Sequence, residues 1–514
     1  MRLSEPYDTR GAPGQSPEAP RAGRTRAAVP ASRPTSPAFA AAPGRRLGFR
    51  RHGGDGRRTA PGPGTGPQRL ERTGSDDMTG DRASTRQGRW SVLGVFLGLA
   101  VIGALTIVPK VMGWNDGTRM ATIQALVQHH TLSIEPTSFA SVNDKVFIGG
   151  HFYSDKLATP QLLGAAVYWP IWHLGIRLAP DWNLAYYLVT LFTVKLFWLL
   201  GLVAFYGSLA FTRLDRVRRL WLTVALGIGT LVLSWSATFN NHSLAASWVA
   251  IAFWFLLRAR NKGRVLPNLF LSGLFFGLAG SSDVPTMAFP AAFGLYVLLD
   301  RRLRRGTWAY VVALLIAVAP ALAVNYAISG SLVPVQIVPR YFDFPGSPWN
   351  AEHLTGTGVN SGSFLGRYTT GMLVGMRGFL VYNPLSLLAL PLMVREFVRR
   401  RRFASEALVI FLMSVVIVGY YCLASNNYGG DAYSIRWFVT MLPLWMFFLY
   451  PLLEGKGAWR WVVLGAFLAV SVPIAVIGAW NPWSRADVNP VPLLSNLKMA
   501  PDLARSLWAA ITHS

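Results

Sequence analysis

Cysteine is almost missing from this chain of 514 residues: Cys422 stands alone, so neither a disulfide framework nor a cysteine metal site can form within one chain. Charge is scarce as well, at 14% Asp, Glu, Lys and Arg, and acids are outnumbered by bases 24 to 49. No Gly-x-x-x-x-Gly-Lys-Ser phosphate loop occurs, and no spaced ligand set resembles a zinc or magnesium motif, so no cofactor is expected and a divalent metal is left open. His129 and His130 are adjacent and point to different faces of a helix, which makes them poor joint ligands. Asp144, His151 and Asp155 could meet only through folding of a loop.

What the chain has in quantity is apolar length. Hydrophobic residues make up 52%, with 19 Trp and 29 Phe, and many windows run for about 17 to 25 mostly apolar residues, the length of a bilayer-spanning helix. This is the composition of an all-α polytopic membrane protein. The formal net charge of +25 sits in the N-terminal tail and in short clusters between apolar runs, as orientation in a membrane requires, so nucleic acid is not an expected partner. Residues 1–88, rich in Pro, Gly, Ala and Arg, are expected to form a disordered basic tail, with Met78 an alternative start. The first apolar run is not followed by a small-residue cleavage site and is expected to stay as an anchor.

Further apolar runs fall at residues 162–178, 184–211, 220–235, 244–257, 269–280, 286–299, 308–327, 378–394, 407–423, 438–453 and 461–480. Connections 213–219, 258–264, 301–305 and 395–402 are arginine-rich, whereas 236–241 and 281–283 carry no Lys or Arg. If run 162–178 crossed the bilayer, every basic loop would face outward. Lying in the interface, it leaves them all on the cytoplasmic side with the N-terminus. The expectation is therefore about eleven spans within residues 89–480, a surface helix over 161–178 and an external C-terminal tail over 481–514, in the plasma or inner membrane. Loops 110–160, 236–242, 281–285, 329–377 and 426–436 then share the external face.

Loop 110–160 is too long to be a mere connection and concentrates acids, histidines and lysines, which points to function. After Asp116, the spacing of Met120, Ile123, Leu126 and Val127 predicts a short helix on the membrane surface. Thr159 and Pro160 fit the N-cap and first position of a second. Lys195 lies deep in an apolar run, where an ionisable group is costly.

The order Trp-Asn-Asp-Gly-Thr-Arg after the first span, an amphipathic helix, then Gly-Gly-His-Phe-Tyr-Ser-Asp-Lys-x-x-x-Pro and a juxtamembrane helix resembles the membrane glycosyltransferases of the GT-C fold. Protein O-mannosyltransferases and the lipid A aminoarabinose transferase belong to that superfamily. SWSATFNNHSLAA, GLAGSSDVPTMAF, GMRGFLVYNPL and NNYGGDAYSIRWFVTMLP extend the likeness over roughly residues 90–450. Where the mannosyltransferases carry an adjacent Asp-Glu pair, this chain has Asn115-Asp116, a single acid.

The resemblance implies an inverting transferase that takes a sugar from a polyprenyl phosphate on the exoplasmic side and passes it to a lipid, protein or cell-envelope glycan. That chemistry needs a carboxylate for the acceptor hydroxyl and cations for the departing phosphate. The resemblance puts Asp116 in the first role, and a helix cap is the alternative. Lys156, Arg436 and Arg377 are candidates for the phosphate, or snorkelling cations at span ends. Arg119, one turn from Asp116, could hold it ionised. His151, Tyr153, Asp155, His242, Asp283, Asp431 and Tyr433 are candidates for the substrate pocket, the last two beside Gly429-Gly430, where the backbone can approach a ligand. A transporter or flippase is the alternative class, but the two halves of the chain show no similarity and the polar residues gather at one face.

Overall fold

The computed structural model describes residues 77–349, 354–356, 358–484 and 490–499, all within the unit Gly74–Ser514. Most of the expected N-terminal tail and part of the C-terminal one lie outside the described residues. Helix α1, Asp77–Leu105, begins inside the stretch expected to be tail.

Helix α2 (Trp114–Gln128), the hairpin β1 (Lys145–Ile148) and β2 (His151–Ser154), and helix α3 (Thr159–His173) fill the long first loop. The apolar stripe of α2 was expected to lie on a membrane. Instead Met120, Ile123 and Val127 are buried and Leu126 is half-buried, because α3 covers one side and the rest of the loop closes over the other. Helix α3 packs on α2 and starts one residue earlier than the cap pattern predicted, with Ala158 as N-cap and Pro160 in the first turn. Its fifteen residues give about 22 Å of helix at 1.5 Å per residue, short of a hydrocarbon core about 30 Å thick.

The bundle follows as α4 (Leu184–Leu209), α5 (Arg216–Ile228), α6 (Leu231–Trp235), α7 (Asn241–Lys262), α8 (Val265–Gly280), α9 (Ala288–Leu299) and α10 (Thr307–Ser329). It continues with α11 (Gly362–Val374), α12 (Leu385–Val398), α13 (Ala404–Ala424), the broken helix α14 (Arg436–Glu454) and α15 (Trp459–Trp480). Every apolar run is helical, but among the described residues only six helices have the length and composition to cross a membrane, seven if the pair Gly362–Tyr382 and Leu385–Val398, bent by 99°, counts as one. The other expected spans are short, such as α8, or broken, as between α5 and α6.

Burial separates centre from edge. The span windows of α7 and α14 are 83% and 89% buried, that of α10 only 22%, so α7 and α14 form the core and α10 an outer wall. Helix α8 reaches α10 through Gly273 and Gly277: a Cβ on Gly273 would stand 2.2 Å from the Tyr310 carbonyl oxygen, so only glycine lets the backbones meet.

The basic connections converge. Arg260, at the end of α7, pairs with buried Glu406 at the start of α13, and Tyr296 donates to the same carboxylate at 3.0 Å. Glu454, closing α14, accepts the Arg213 N–H after α4 at 2.7 Å. Lys195 lies in a π turn of α4 and donates to Thr106 Oγ1 and Ser236 Oγ, both at 2.8 Å. Two hydroxyls replace the acid partner a buried ammonium ordinarily finds.

Candidate functional site

A cavity of ≈ 200 Å³ opens at the other end of the bundle, and all five segments assigned to one face contribute to its lining. The long first loop supplies Asn115, Arg119, Asp144, Asp155 and Lys156. The start of α7 supplies Asn241 and His242, the α8–α9 turn Asp283, and the α10–α11 connection Trp349. The end of α13 and the loop after it supply Tyr421 and Gly430, and α14 adds Arg436 and Trp437.

The hairpin explains how two distant acids meet. Its antiparallel register pairs Lys145 with Ser154 and Ile148 with His151, around Gly149 and Gly150 at φ +60° and +89°. Such a two-residue turn suits glycine. One step beyond the last pair stand Asp144 and Asp155, and Lys156 Nζ bridges them at 2.9 and 2.6 Å. Asp155 Oδ1 is buried without a hydrogen-bond partner among the described residues. Burial raises the Asp155 carboxyl above the ordinary range, against the lowering pull of Lys156.

Helix α2 places Asn115 and Arg119 four residues apart on one face. Arg119 donates to the Asn115 side chain and carbonyl and, at 2.7 Å, to Asn241 Oδ1, while Asn241 donates to the Ser282 carbonyl at 3.2 Å. One guanidinium thus ties α2 to α7 and to the turn that carries Asp283. Burial lowers the Arg119 pKa to about 10, which leaves it cationic. Tyr421 donates to Asp283 Oδ2 at 3.3 Å, and His242 Nδ1 lies 3.8 Å from the same oxygen with no hydrogen-bond partner among the described residues. Burial raises the Asp283 carboxyl as well. Tyr421 stacks flat on Trp437 at 4.2 Å, forming an aromatic wall beside the charges.

Several expected residues lie elsewhere. Asp116 is fully buried and does not line the cavity: its carboxylate accepts the Met112 and Gly113 N–H groups at 3.0 and 2.9 Å and the Tyr186 hydroxyl at 3.1 Å. It closes the first turn of α2, so the cap reading describes its contacts, though from the third helical position, Gly113 being the N-cap. Tyr186 in turn accepts the Phe239 N–H at 3.2 Å, tying this acid to the stretch that leads into α7. Burial lifts the Asp116 pKa from 3.8 to about 6. Arg119 does not pair with it, because the Asp116 side chain turns back over the helix start.

Arg377 lies outside the cavity and donates to the Gly430 carbonyl at 2.8 Å, holding the 429–436 loop in shape. The Tyr433 hydroxyl donates to the Ile474 carbonyl at 2.9 Å within the core. Asp431 is exposed. His151 is exposed and pairs with Glu135 at 3.1 Å. Tyr153 leans on the separate cluster of Val146, Val335 and Phe342. Asp144, Asn241, Tyr421 and Trp437 are cavity residues that reading the sequence missed. The Gly-Gly turn and its register were the signal for Asp144. Among the described residues, no group of three His, Cys, Asp or Glu side chains is placed to hold a metal ion.

Residues 189–326, from α4 to α10, match the family model described as dolichyl-phosphate-mannose-protein mannosyltransferase. The matched stretch is part of a mostly helical architecture in which six helices among the described residues are long and apolar enough to cross a membrane. Solved structures similar to it include ArnT from Cupriavidus metallidurans bound to undecaprenyl phosphate, at 16% identity and TM-score 0.49 over 76% of this chain and 70% of that one. Another is the archaeal oligosaccharyltransferase AglB from Archaeoglobus fulgidus in complex with an inhibitory peptide and a dolichol-phosphate, at 13% identity and TM-score 0.49. The match covers 77% of this chain and 56% of the archaeal one. No curated protein sequence matches the chain.

Proposed function

We propose that the cavity transfers a sugar from a polyprenyl-phosphate donor to a hydroxyl of a lipid, protein or cell-envelope glycan, on the exoplasmic face of the cell membrane and with inversion. One observation carries this reading: Arg119, Lys156 and Arg436 meet Asp144, Asp155 and Asp283 in a single cavity of an otherwise apolar bundle. Arg436 and Lys156 hold the donor phosphate. Asp155 takes over the role expected of Asp116: its unpartnered Oδ1 accepts the proton of the acceptor hydroxyl. The acceptor oxygen attacks the anomeric carbon from the side opposite the phosphate, the bond from that carbon to the phosphate oxygen breaks, and the carrier leaves as a lipid monophosphate. His242, with a free ring nitrogen, reads a sugar hydroxyl.

Mass spectrometry of lipid extracted from the purified protein is expected to find polyprenyl phosphate with the native chain and to lose it with Arg436→Gln. A preparation with no such lipid and no turnover of polyprenyl-phosphoryl sugars would overturn the reading. Convergence of the basic connections at the end away from the cavity supports the proposed orientation. A reporter enzyme fused after Arg305 is expected to register as cytoplasmic, and an external signal would reverse the sidedness.

A further inference from the structure

The residues after α15 are more than a tail. Trp483 is buried, meets the Trp235 ring edge-on at 5.0 Å and 78°, and lies against Gly113, where a Cβ would stand 3.7 Å from the indole. The neighbouring Pro482 carbonyl accepts the Tyr433 N–H at 2.9 Å, three residues before Arg436. Above the indole lies the Arg436 guanidinium, its carbon 4.7 Å from the ring centroid. Arg436 makes no ion pair among the described residues, and its Nε has no hydrogen-bond partner there.

We propose that Trp483 is a positioning residue for Arg436. A guanidinium lies flat on an aromatic face and is weakly hydrated, so the indole fixes its plane and leaves its edge for a phosphate. Without that face the side chain is free to swing toward Asp144 or Asp283, whose charges it already feels, and its positive charge is spent within the protein. This inference rests on the reading of Arg436 as a ligand of the donor phosphate.

The test uses full-length purified protein titrated with undecaprenyl phosphate, read by native mass spectrometry, with thermal unfolding alongside. Trp483→Leu is expected to weaken binding about ten-fold and Trp483→Phe, which keeps an aromatic face, less than about two-fold. In an Arg436→Gln background, Trp483→Leu should change nothing further. If Leu lowers the melting temperature, Trp483→Met, of similar volume but with a longer, more adaptable side chain, replaces it in the comparison. Phe as harmful as Leu, or a loss that persists in the Arg436→Gln background, would reduce Trp483 to packing and overturn the proposal. Unchanged binding in Arg436→Gln alone would instead remove Arg436 from the phosphate and take the proposal with it.

Discussion

Lys156→Ala is expected to raise the KM for the lipid donor about 10- to 100-fold and to lower the melting temperature at neutral pH. Two losses add. The ammonium is a charge-assisted partner for phosphate, worth roughly 1.5–3 kcal/mol. It also bridges Asp144 and Asp155 at 2.9 and 2.6 Å. Their side chains are 9% exposed, so removing the cation leaves two nearly buried carboxylates facing each other, and breaking a buried pair in this way costs about 3–5 kcal/mol. The variant should recover stability as the pH falls and the carboxylates take up protons. Steady-state kinetics against donor concentration and melting curves at two pH values would check this. A normal donor KM would remove Lys156 from the phosphate.

Asp155→Asn is expected to cut kcat by about 10²–10⁴, the range supplied by a positioned general base, while leaving donor binding nearly intact. Asp116→Asn should spare turnover and alter stability instead. The Asp116 carboxyl titrates at about 6 in the fold against 3.8 ordinarily. The folded chain thus binds more protons than the unfolded one between those values, and this contribution, fully present below pH 4, is lost as the pH rises through 6. The difference corresponds to about 3 kcal/mol. Wild-type protein should melt lower at pH 7 than at pH 4.5 by several degrees for this reason, and Asp116→Asn should flatten that slope. Loss of turnover in Asp116→Asn with normal melting would return the catalytic role to Asp116.

Much of the architecture was legible from apolar run length and from arginine in alternate connections, since both follow from what a bilayer tolerates. The fine choice between neighbours was not. Asn115 and Asp116 are adjacent but about 100° apart around α2: the first shares a face with Arg119 and meets the cavity, the second turns back to its own helix start. The same holds in β2, where strand alternation sends Tyr153 into an apolar cluster, and the chain reaches the cavity only at Asp155. Arg377 and Arg436 both read as cations at helix ends. Only the folded loop makes one a clasp on Gly430 and brings the other over Trp483. Trp437 lay within the NNYGGDAYSIRWFVTMLP stretch without being singled out and Tyr421 carried no motif, because a stack between two helices leaves no trace in either alone.

The charged side chains lining the cavity sum to zero: Arg119, Lys156 and Arg436 against Asp144, Asp155 and Asp283. A sugar phosphodiester would enter with one negative charge, and the lipid monophosphate left behind carries close to two at neutral pH. The hydrogen ion released by the acceptor alcohol makes up that difference if it stays in the pocket. A carboxyl whose burial already favours its neutral form is suited to keep it there, so discharge of the spent carrier and release of acid to the medium become one event.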